Sequence, residues 1–371
     1  MKKILVIGNG DSIFVKDFIN QYNKIGVLVD LISYGKESMN ENVRLQKNFP
    51  IRLGLSFSAI KNFYKFRSEV IDKMDNDYDA VVIHFINFAL GPHIFSLKKK
   101  TKKVVSVVWG SDFYRENSKI KKFFQDLIYR NSHTIVFTNP KTKELFLSKK
   151  SYIPTQLDIA RFGLPVLDEI DEFKESEYKE ACDLFGLPKN KIKIAVGYNA
   201  SLDHQQLLIV KQIINFDSKF LNRIHLIFPM GYGNIENKKL IEKELYKNKN
   251  IEYTVLDKFY NFHEVAKLRK VTDILINIQP TDQFSGSMQE VLYAGGWILT
   301  GAWLPYESLM NLNPKMVLIN EKEQVGEKLI ELIENSAVSS MDRTEAIKAF
   351  IRNESSWENN LPIWNRILFN Y

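Results

Sequence analysis

The sequence predicts an α/β protein of two consecutive doubly wound domains, each a mostly parallel sheet covered on both faces. Three observations predict it. Near-continuous Val/Ile runs, as in KKILVIGN, YDAVVIHF and KKVVSVVWG, recur along the chain and suit strands buried on both faces. Stretches of helical spacing alternate with those runs. The rhythm breaks at ARFGLPVLDEI (160–170), which carries Gly163 and Pro165, and then restarts.

In chain order, KKILVIGN is a strand ending in a glycine turn, residues 12–22 have helical spacing, and GVLVDLIS (26–33) is the next strand. A helix follows around 57–74, then the strands YDAVVIHF (78–85) and KKVVSVVWG (102–110). A helix near 118–130, the strand HTIVFTN (133–139) and a further helix complete the first half. Beyond the break, IKIAVGYN (192–199) is a strand and HQQLLIVKQII (204–214) a helix. RIHLIFPMGYG (223–233) is a strand ending in a Pro/Gly loop, IEYTVLDKF (251–259) a strand and HEVAKLRKV (263–271) a helix. DILINIQP (273–280) leads into a helix over 289–295, which Gly295 and Gly296 end. GWILTG (296–301) and KMVLIN (315–320) precede a helix near 323–335. Residues 353–360 read as a break before an amphipathic segment, LPIWNRILFNY, able to dock on either domain. The expected domains are therefore 1–165 and 166–350, with a tail at 351–371.

Composition narrows the class. The chain has 371 residues, 45% hydrophobic and 26% charged, as expected of soluble globular domains. Its one cysteine, Cys182, excludes a disulfide framework and a thiolate cluster, and EACDLFGLP places it in a helical core pattern. The apolar run in MKKILVIGNG is too short for a signal peptide, and no stretch approaches 18 apolar residues. The expected setting is the cytoplasm. Net charge is +7 but uneven: residues 1–166 hold 27 Lys/Arg against 15 Asp/Glu, and the remainder 24 against 29. Within the basic half, Phe123, Phe124, Leu127 and Ile128 interleave with Lys119, Lys121 and Lys122, which suits a helix lying on an anionic membrane. A solvated basic face is the plainer alternative. No RNP pattern, zinc spacing or helix-turn-helix signature supports nucleic acid.

Candidate chemistry falls in the loops at strand ends, where ligands of open α/β sheets bind. The fullest is TDQFSGSMQEVLYAGG, which begins at Thr281. Ser285, Gly286 and Ser287 open a helix whose free N–H groups suit a phosphate, and Glu290 in its start can accept hydrogen bonds from a ribose. Asp282 stands eight positions before Glu290. Asn199, Ser201, Tyr232 and Lys258 occupy other strand-end loops of the second half. In the first half, Asp112 follows VVSVVWG and can align an attacking hydroxyl. His84 ends VVIHF, either as a core residue or as a group facing substrate. GNGDS lacks the third glycine of a dinucleotide turn, where Ile13 stands. Six scattered histidines offer no metal-ligand spacing, and G-x-S-x-G and Walker patterns are absent.

These residues resemble a known family. Asp282 and Glu290 match the acid-x7-acid element of GT-B-fold retaining glycosyltransferases, with Asp for the first Glu and Ser285–Gly286–Ser287 for the glycine loop. HFINFALG, VVWGSDFYR, RFGLP, VGYNASLDH, IFPMGYG and SMQEVLYAG together resemble bacterial 4-acetamido-4,6-dideoxygalactose (Fuc4NAc) transferases. The resemblance implies two Rossmann-like domains facing each other across a cleft, a dTDP- or UDP-sugar donor and a polyprenyl-diphosphate-linked acceptor. It also implies work at the inner face of the plasma membrane in surface-polysaccharide (O-antigen or capsule) assembly, with no required metal or tightly bound cofactor. By the same resemblance Glu290 meets the ribose, Asp282 the donor sugar, Ser285, Gly286 and Ser287 the diphosphate, and Asp112 and His84 the acceptor. Asn199 and Ser201 line the cleft. The Arg/Lys pair that many relatives set against the diphosphate is missing after VGYNASLDH, so Lys258, or backbone N–H groups with Tyr232, are expected to replace it. A nucleotide-sugar epimerase, a non-catalytic nucleotide-sugar-binding protein and a glycogen-type synthase are the alternatives.

Overall fold

The computed structural model describes residues 1–35, 40–54, 56–114, 116–150, 155–312, 314–335 and 344–370. The chain divides into two compact units, Met1–Gly163 with Trp357–Tyr371, and Leu164–Ser356.

The first unit is built on strands β1 (Lys3–Gly8), β2 (Leu28–Ser33), β3 (Leu45–Asn48), β4 (Ala80–His84), β5 (Val104–Val108), β6 (Thr134–Phe137) and β7 (Gln156–Ile159). They form one parallel sheet in the order β3-β2-β1-β4-β5-β6-β7. The Val/Ile runs are its centre, and every residue of β4, β5 and β6 is buried. The edge strands β3 (LQKN) and β7 (QLDI) carry no such run, because an edge strand is half exposed and is held by backbone pairing to one neighbour.

Two helical segments differ from expectation. The stretch from 57 is not one helix: an α-helix over Phe57–Lys65 widens into a π turn at Phe66–Val70 and tightens into a 3-10 turn at Ile71–Lys73. The expected break at 353–360 shrinks to Ser356, between helices Thr344–Ser355 and Trp357–Phe369. The last helix belongs to the first unit. Its Trp364, Ile367 and Leu368 are buried with Phe18 and Tyr22, and the Trp364 indole N–H donates to the Arg161 carbonyl at 2.8 Å. Truncating such an indole costs about 3–5 kcal/mol.

The second unit repeats the plan with β8 (Ile192–Val196), β9 (Ile224–Pro229), β10 (Tyr253–Leu256), β11 (Ile274–Asn277), β12 (Trp297–Gly301) and β13 (Met316–Ile319). The order is β10-β9-β8-β11-β12-β13, again parallel throughout. Helix Ile235–Lys247 was hidden in the sequence by its many charges, since only Asn237, Ile241 and Leu245 are buried. Cys182 lies in the core. Strand order reverses at β8 and β11, so a crevice opens beyond their carboxyl ends, and the loops at 197–201 and 278–287 lie there. Among the described residues, no helix is long and apolar enough to cross a membrane.

Candidate functional site

The loop after β11 is held from below by Asp282. Its carboxylate accepts from the backbone N–H of Gln283 (2.6 Å) and Ser285 (3.2 Å), from Asn277 Nδ2 (3.4 Å) and from the Tyr306 hydroxyl. Burial raises the Asp282 pKa, and these donors act against that rise. The next turn places Phe284 at φ 75, a left-handed backbone that a bulky residue adopts only when its surroundings hold it, and Phe284 is buried against Tyr306. Ser285 then caps the helix Gly286–Tyr293, its hydroxyl accepting from Met288 N at 3.3 Å. The N–H groups of Gly286 and Ser287, in the first turn, have no intrahelical acceptor. Asp282 therefore shapes the loop that leads into this helix N-terminus.

Glu290 is buried one turn on and is not alone. Arg269, from the helix Phe262–Val271, donates through Nε to Glu290 Oε2 at 2.8 Å and through Nη2 to Ser287 Oγ at 2.9 Å. Both side chains are almost wholly buried. The other Glu290 oxygen, Oε1, lies 3.9 Å from the place a Cβ on Gly286 would take. One guanidinium thus orients one carboxylate oxygen and one hydroxyl, and leaves the second carboxylate oxygen facing the helix N-terminus. Arg269 is a candidate residue that the sequence reading missed. HEVAKLRKV offers three cations on a helix, of which Lys267 and Arg269 are both buried, and nothing local marks the one that meets Glu290.

Across the switch point, the Tyr232 hydroxyl meets the Asn199 side chain and lies within the field of Arg269 and Glu290. The Tyr198 hydroxyl accepts from Gln279 Nε2 at 2.8 Å, meets the Ser285 side chain and feels the Asp282 charge. Burial raises both phenol pKa values, so both hydroxyls are neutral donors at pH 7. Asn199 Oδ1 accepts from Ser201 N at 2.7 Å, and Ser201 Oγ turns to Asp203 at 3.0 Å. Asn199, Tyr232, Asp282, Ser285, Ser287 and Glu290 therefore gather around Tyr198 and Arg269. Lys258 stands apart, exposed beyond β10. Its backbone packs on Gly231, where a Cβ would come 2.0 Å from the Lys258 carbonyl oxygen, and the neighbouring Phe259 ring lies 6.2 Å from that of Tyr232.

In the first unit, Asp112 and His84 have separate surroundings. Asp112 is buried and accepts from Ile86 N at 2.8 Å and Trp109 N at 3.0 Å, which ties the loop after β4 to the loop after β5. Gln125 Nε2 seals the same junction on the carbonyls of Asp112 (2.9 Å) and Ile86 (3.1 Å). Burial pushes the Asp112 carboxyl up to about 6 against these N–H donors. His84 is fully buried among the rings of Phe18, Trp109, Phe162 and Trp364. Among the described residues neither ring nitrogen has a hydrogen-bond partner, and burial lowers its pKa to about 3, so the ring is neutral. Arg115, which ends VVWGSDFYR, lies outside the described residues. Among the described residues there is no group of three His, Cys, Asp or Glu placed to hold a metal ion.

Comparison with known proteins bears on this architecture. The model of the glycosyl transferase 4-like family matches residues 3–139. No curated protein matches the chain. Solved structures do. A glycosyltransferase from Rickettsia africae superposes with a TM-score of 0.73 at 16% identity over 100% of this chain and 99% of its own. WaaG, a glycosyltransferase involved in lipopolysaccharide biosynthesis, gives 0.71 at 13% identity over 100% of both chains. HepE of Anabaena, solved in complex with UDP and glucose, gives 0.75 at 12% identity over 99% of both. The fold is of the GT-B kind. At these identities the likeness is one of architecture.

Proposed function

We propose that the chain is a glycosyltransferase that moves a sugar from a nucleoside diphosphate to an acceptor hydroxyl. The observation that carries this reading is the buried Arg269–Glu290–Ser287 cluster at the N-terminus of helix Gly286–Tyr293, beside the switch point of the second sheet. Glu290 Oε1 accepts from a ribose hydroxyl. The N–H groups of Gly286 and Ser287 hold the diphosphate, helped by the helix dipole. Arg269 adds the positive charge that the sequence lacks after VGYNASLDH, while Tyr232 and Phe259 offer exposed rings on which a base can lie, with Lys258 beside them.

In the reaction the acceptor oxygen bonds to the anomeric carbon, the bond from that carbon to the diphosphate oxygen breaks, and the hydroxyl proton leaves with the nucleoside diphosphate. The N–H groups and the Tyr198 and Tyr232 hydroxyls stabilise charge growing on the leaving group. Asp282 acts by holding the loop, and Asp112 by shaping the acceptor side. No metal is required in this scheme. The resemblance of Asp282 and Glu290 to the acid-x7-acid element of retaining glycosyltransferases supports retention of anomeric configuration and a hexosyl donor. The basic first unit supports a lipid-linked saccharide acceptor of bacterial surface-polysaccharide assembly, met at the inner face of the plasma membrane through helix Lys119–Asn131.

A thermal-shift screen against dTDP, UDP, GDP, ADP and CDP tests the donor site. A shift with one diphosphate that disappears in Glu290→Gln supports the reading and selects the donor, dTDP pointing to the acetamido-dideoxyhexose subgroup. Absence of any shift, confirmed by calorimetry, overturns it.

A further inference from the structure

Helix Phe57–Lys65 is weakly anchored on the first unit. Among its nine residues only Ala59 is buried, and its large apolar side chains point out: Phe57 is 83% exposed, Ile60 45% and Tyr64 65%. Their spacing of three and then four puts them on one face, opposite Ala59. A second helix, Lys119–Asn131, exposes Ile120 at 70% and Phe123 at 60%, again three apart. The two are distant in sequence but flank one turn, Phe88–His93. Phe63 of the first stacks on His93 at 4.4 Å between ring centres. Phe124 of the second packs its backbone on Gly91 so closely that a Cβ there would meet its carbonyl oxygen at 2.4 Å. All three elements follow the carboxyl ends of β3, β4 and β5, the side of the sheet on which ligands bind.

Exposed apolar residues gathered in this way mark an interaction surface. Charge selects the occupant. Helix Phe57–Lys65 has no acidic residue and adds Lys61 and Lys65 beside its apolar face, and Lys119 and Lys122 flank Phe123. Three acids nearby, Glu69, Glu116 and Asp126, are each paired with a lysine: Lys65 at 3.5 Å, Lys121 at 3.4 Å and Lys150. Cores of protein–protein interfaces are depleted of lysine. Aromatic side chains ringed by lysines, whose stems lie along apolar surface while their ammonium groups reach anionic headgroups, are the pattern of a helix seated in a bilayer interface.

We propose that helices Phe57–Lys65 and Lys119–Asn131 form a two-helix footprint that inserts its apolar side chains into an anionic bilayer. Phe57, Ile60 and Tyr64 enter the headgroup–acyl boundary. The inference extends the membrane contact proposed for the basic helix alone. It differs in requiring apolar insertion from a segment that the basic runs do not include.

The test is co-sedimentation of the full chain with vesicles of phosphatidylcholine alone or mixed with phosphatidylglycerol, without nucleotide or acceptor, at low and high salt. The expected result is binding to the mixed vesicles that high salt weakens but does not abolish. The triple variant Phe57→Ser, Ile60→Ser, Tyr64→Ser should lose at least about tenfold in partition, while charge reversal at Lys119 and Lys122 should remove the salt-sensitive part. These side chains are exposed, so the triple variant should melt as the wild type does. A second readout uses Ile60→Cys carrying an environment-sensitive fluorophore, since the chain's own Cys182 is buried. Its emission should shift to the blue on mixed vesicles, and that of a label at Tyr246→Cys in the second unit should not. Triple-variant partition equal to wild type, or no blue shift at position 60, overturns the proposal. Nucleotide binding by the same preparations, measured separately, reports on the donor site, so failure of one reading does not pass for failure of the other.

Discussion

Replacing Arg269 by Gln tests the site at its centre. The substitution keeps bulk and some hydrogen bonding but strips the charge from a pair in which both side chains are almost wholly buried. Glu290 would then be a carboxylate with no compensating cation, and breaking a buried pair from one side costs about 3–5 kcal/mol. In a unit of this size each kcal/mol moves the melting temperature by about 2–4 °C. The expected drop is therefore about 6–20 °C in the transition of the second unit, followed by calorimetry. Glu290→Gln in the same chain should lose less, because an uncharged amide leaves Arg269 still bonded to Ser287. The double variant should be more stable than the sum of the two losses predicts, with a coupling energy of about 0.5–3 kcal/mol.

The same variants separate stability from binding. A hydrogen bond to a charged acceptor contributes about 1.5–3 kcal/mol, so Glu290→Gln should raise the Kd for the selected nucleoside diphosphate by about 10- to 150-fold, measured by titration calorimetry below the melting transition. A diphosphate lacking the nucleoside should bind Glu290→Gln as it binds wild type, because its proposed partners are the N–H groups of Gly286 and Ser287. Melting of Arg269→Gln within a degree of wild type would refute the buried pair. Unchanged nucleotide affinity in Glu290→Gln would refute the ribose contact.

Further outcomes follow from residues elsewhere. His84→Phe should leave the protein as stable or more stable at pH 7, since it removes two unpartnered buried nitrogens that cost about 1–3 kcal/mol each. Because burial depresses the His84 pKa to about 3, the unfolded chain binds the proton more tightly, and stability falls as pH drops from about 6.5 toward 3. His84→Phe should flatten that slope in chemical denaturation, and a loss of turnover in this stable variant would instead give the ring a role with substrate. Asp112 has the opposite sign: with its carboxyl raised to about 6, the folded chain holds the proton more tightly, so its contribution weakens stability as pH rises from about 4 to 6. Asp112→Asn should remove that slope, lose about 1–3 kcal/mol by turning an amide N–H toward Ile86 N or Trp109 N, and lower turnover with donor affinity nearly unchanged. Gly231→Ala should displace the loop after β9, because its Cβ would strike the Lys258 carbonyl oxygen at 2.0 Å, and nucleotide affinity should fall with it. Gly286→Ala would press on the flexible end of the Leu164 side chain at 2.9 Å and stand 3.9 Å from Glu290 Oε1, so it should weaken diphosphate binding with little change in melting.

The doubly wound plan was legible because its signal is local. A strand buried on both faces must be apolar along its whole length, so AVVIH, VVSVV and ILIN mark themselves, and the helical spacing between them leaves few other architectures. The edge strands LQKN and QLDI were illegible for the complementary reason, since half-exposed residues paired to one neighbour need no pattern. Much of the candidate site was legible too: Ser285 to Glu290 could be read because a helix N-terminus after a strand is a sequence-local object. Arg269 and Tyr198 could not. Their partners, Glu290 and Ser285, lie 21 and 87 positions away, and only the strand order β9-β8-β11 brings those segments side by side.

Arg269 also alters how the missing Arg/Lys pair is understood. A cation on the helix after β8 would approach the diphosphate directly from the loop at 197–201. Here the cation comes from the helix preceding β11, and it reaches the helix N-terminus only through Glu290 and Ser287. Under the proposed function, one group would set the ribose acceptor and the charge beside the diphosphate at once. Substituting a ribose acceptor and substituting a diphosphate cation would ordinarily be independent perturbations. In this chain they should be coupled, so Arg269→Gln ought to weaken a nucleoside monophosphate and a nucleoside diphosphate alike. If it weakened only the diphosphate, Glu290 would be holding its geometry without Arg269, and the cation would be acting by charge alone.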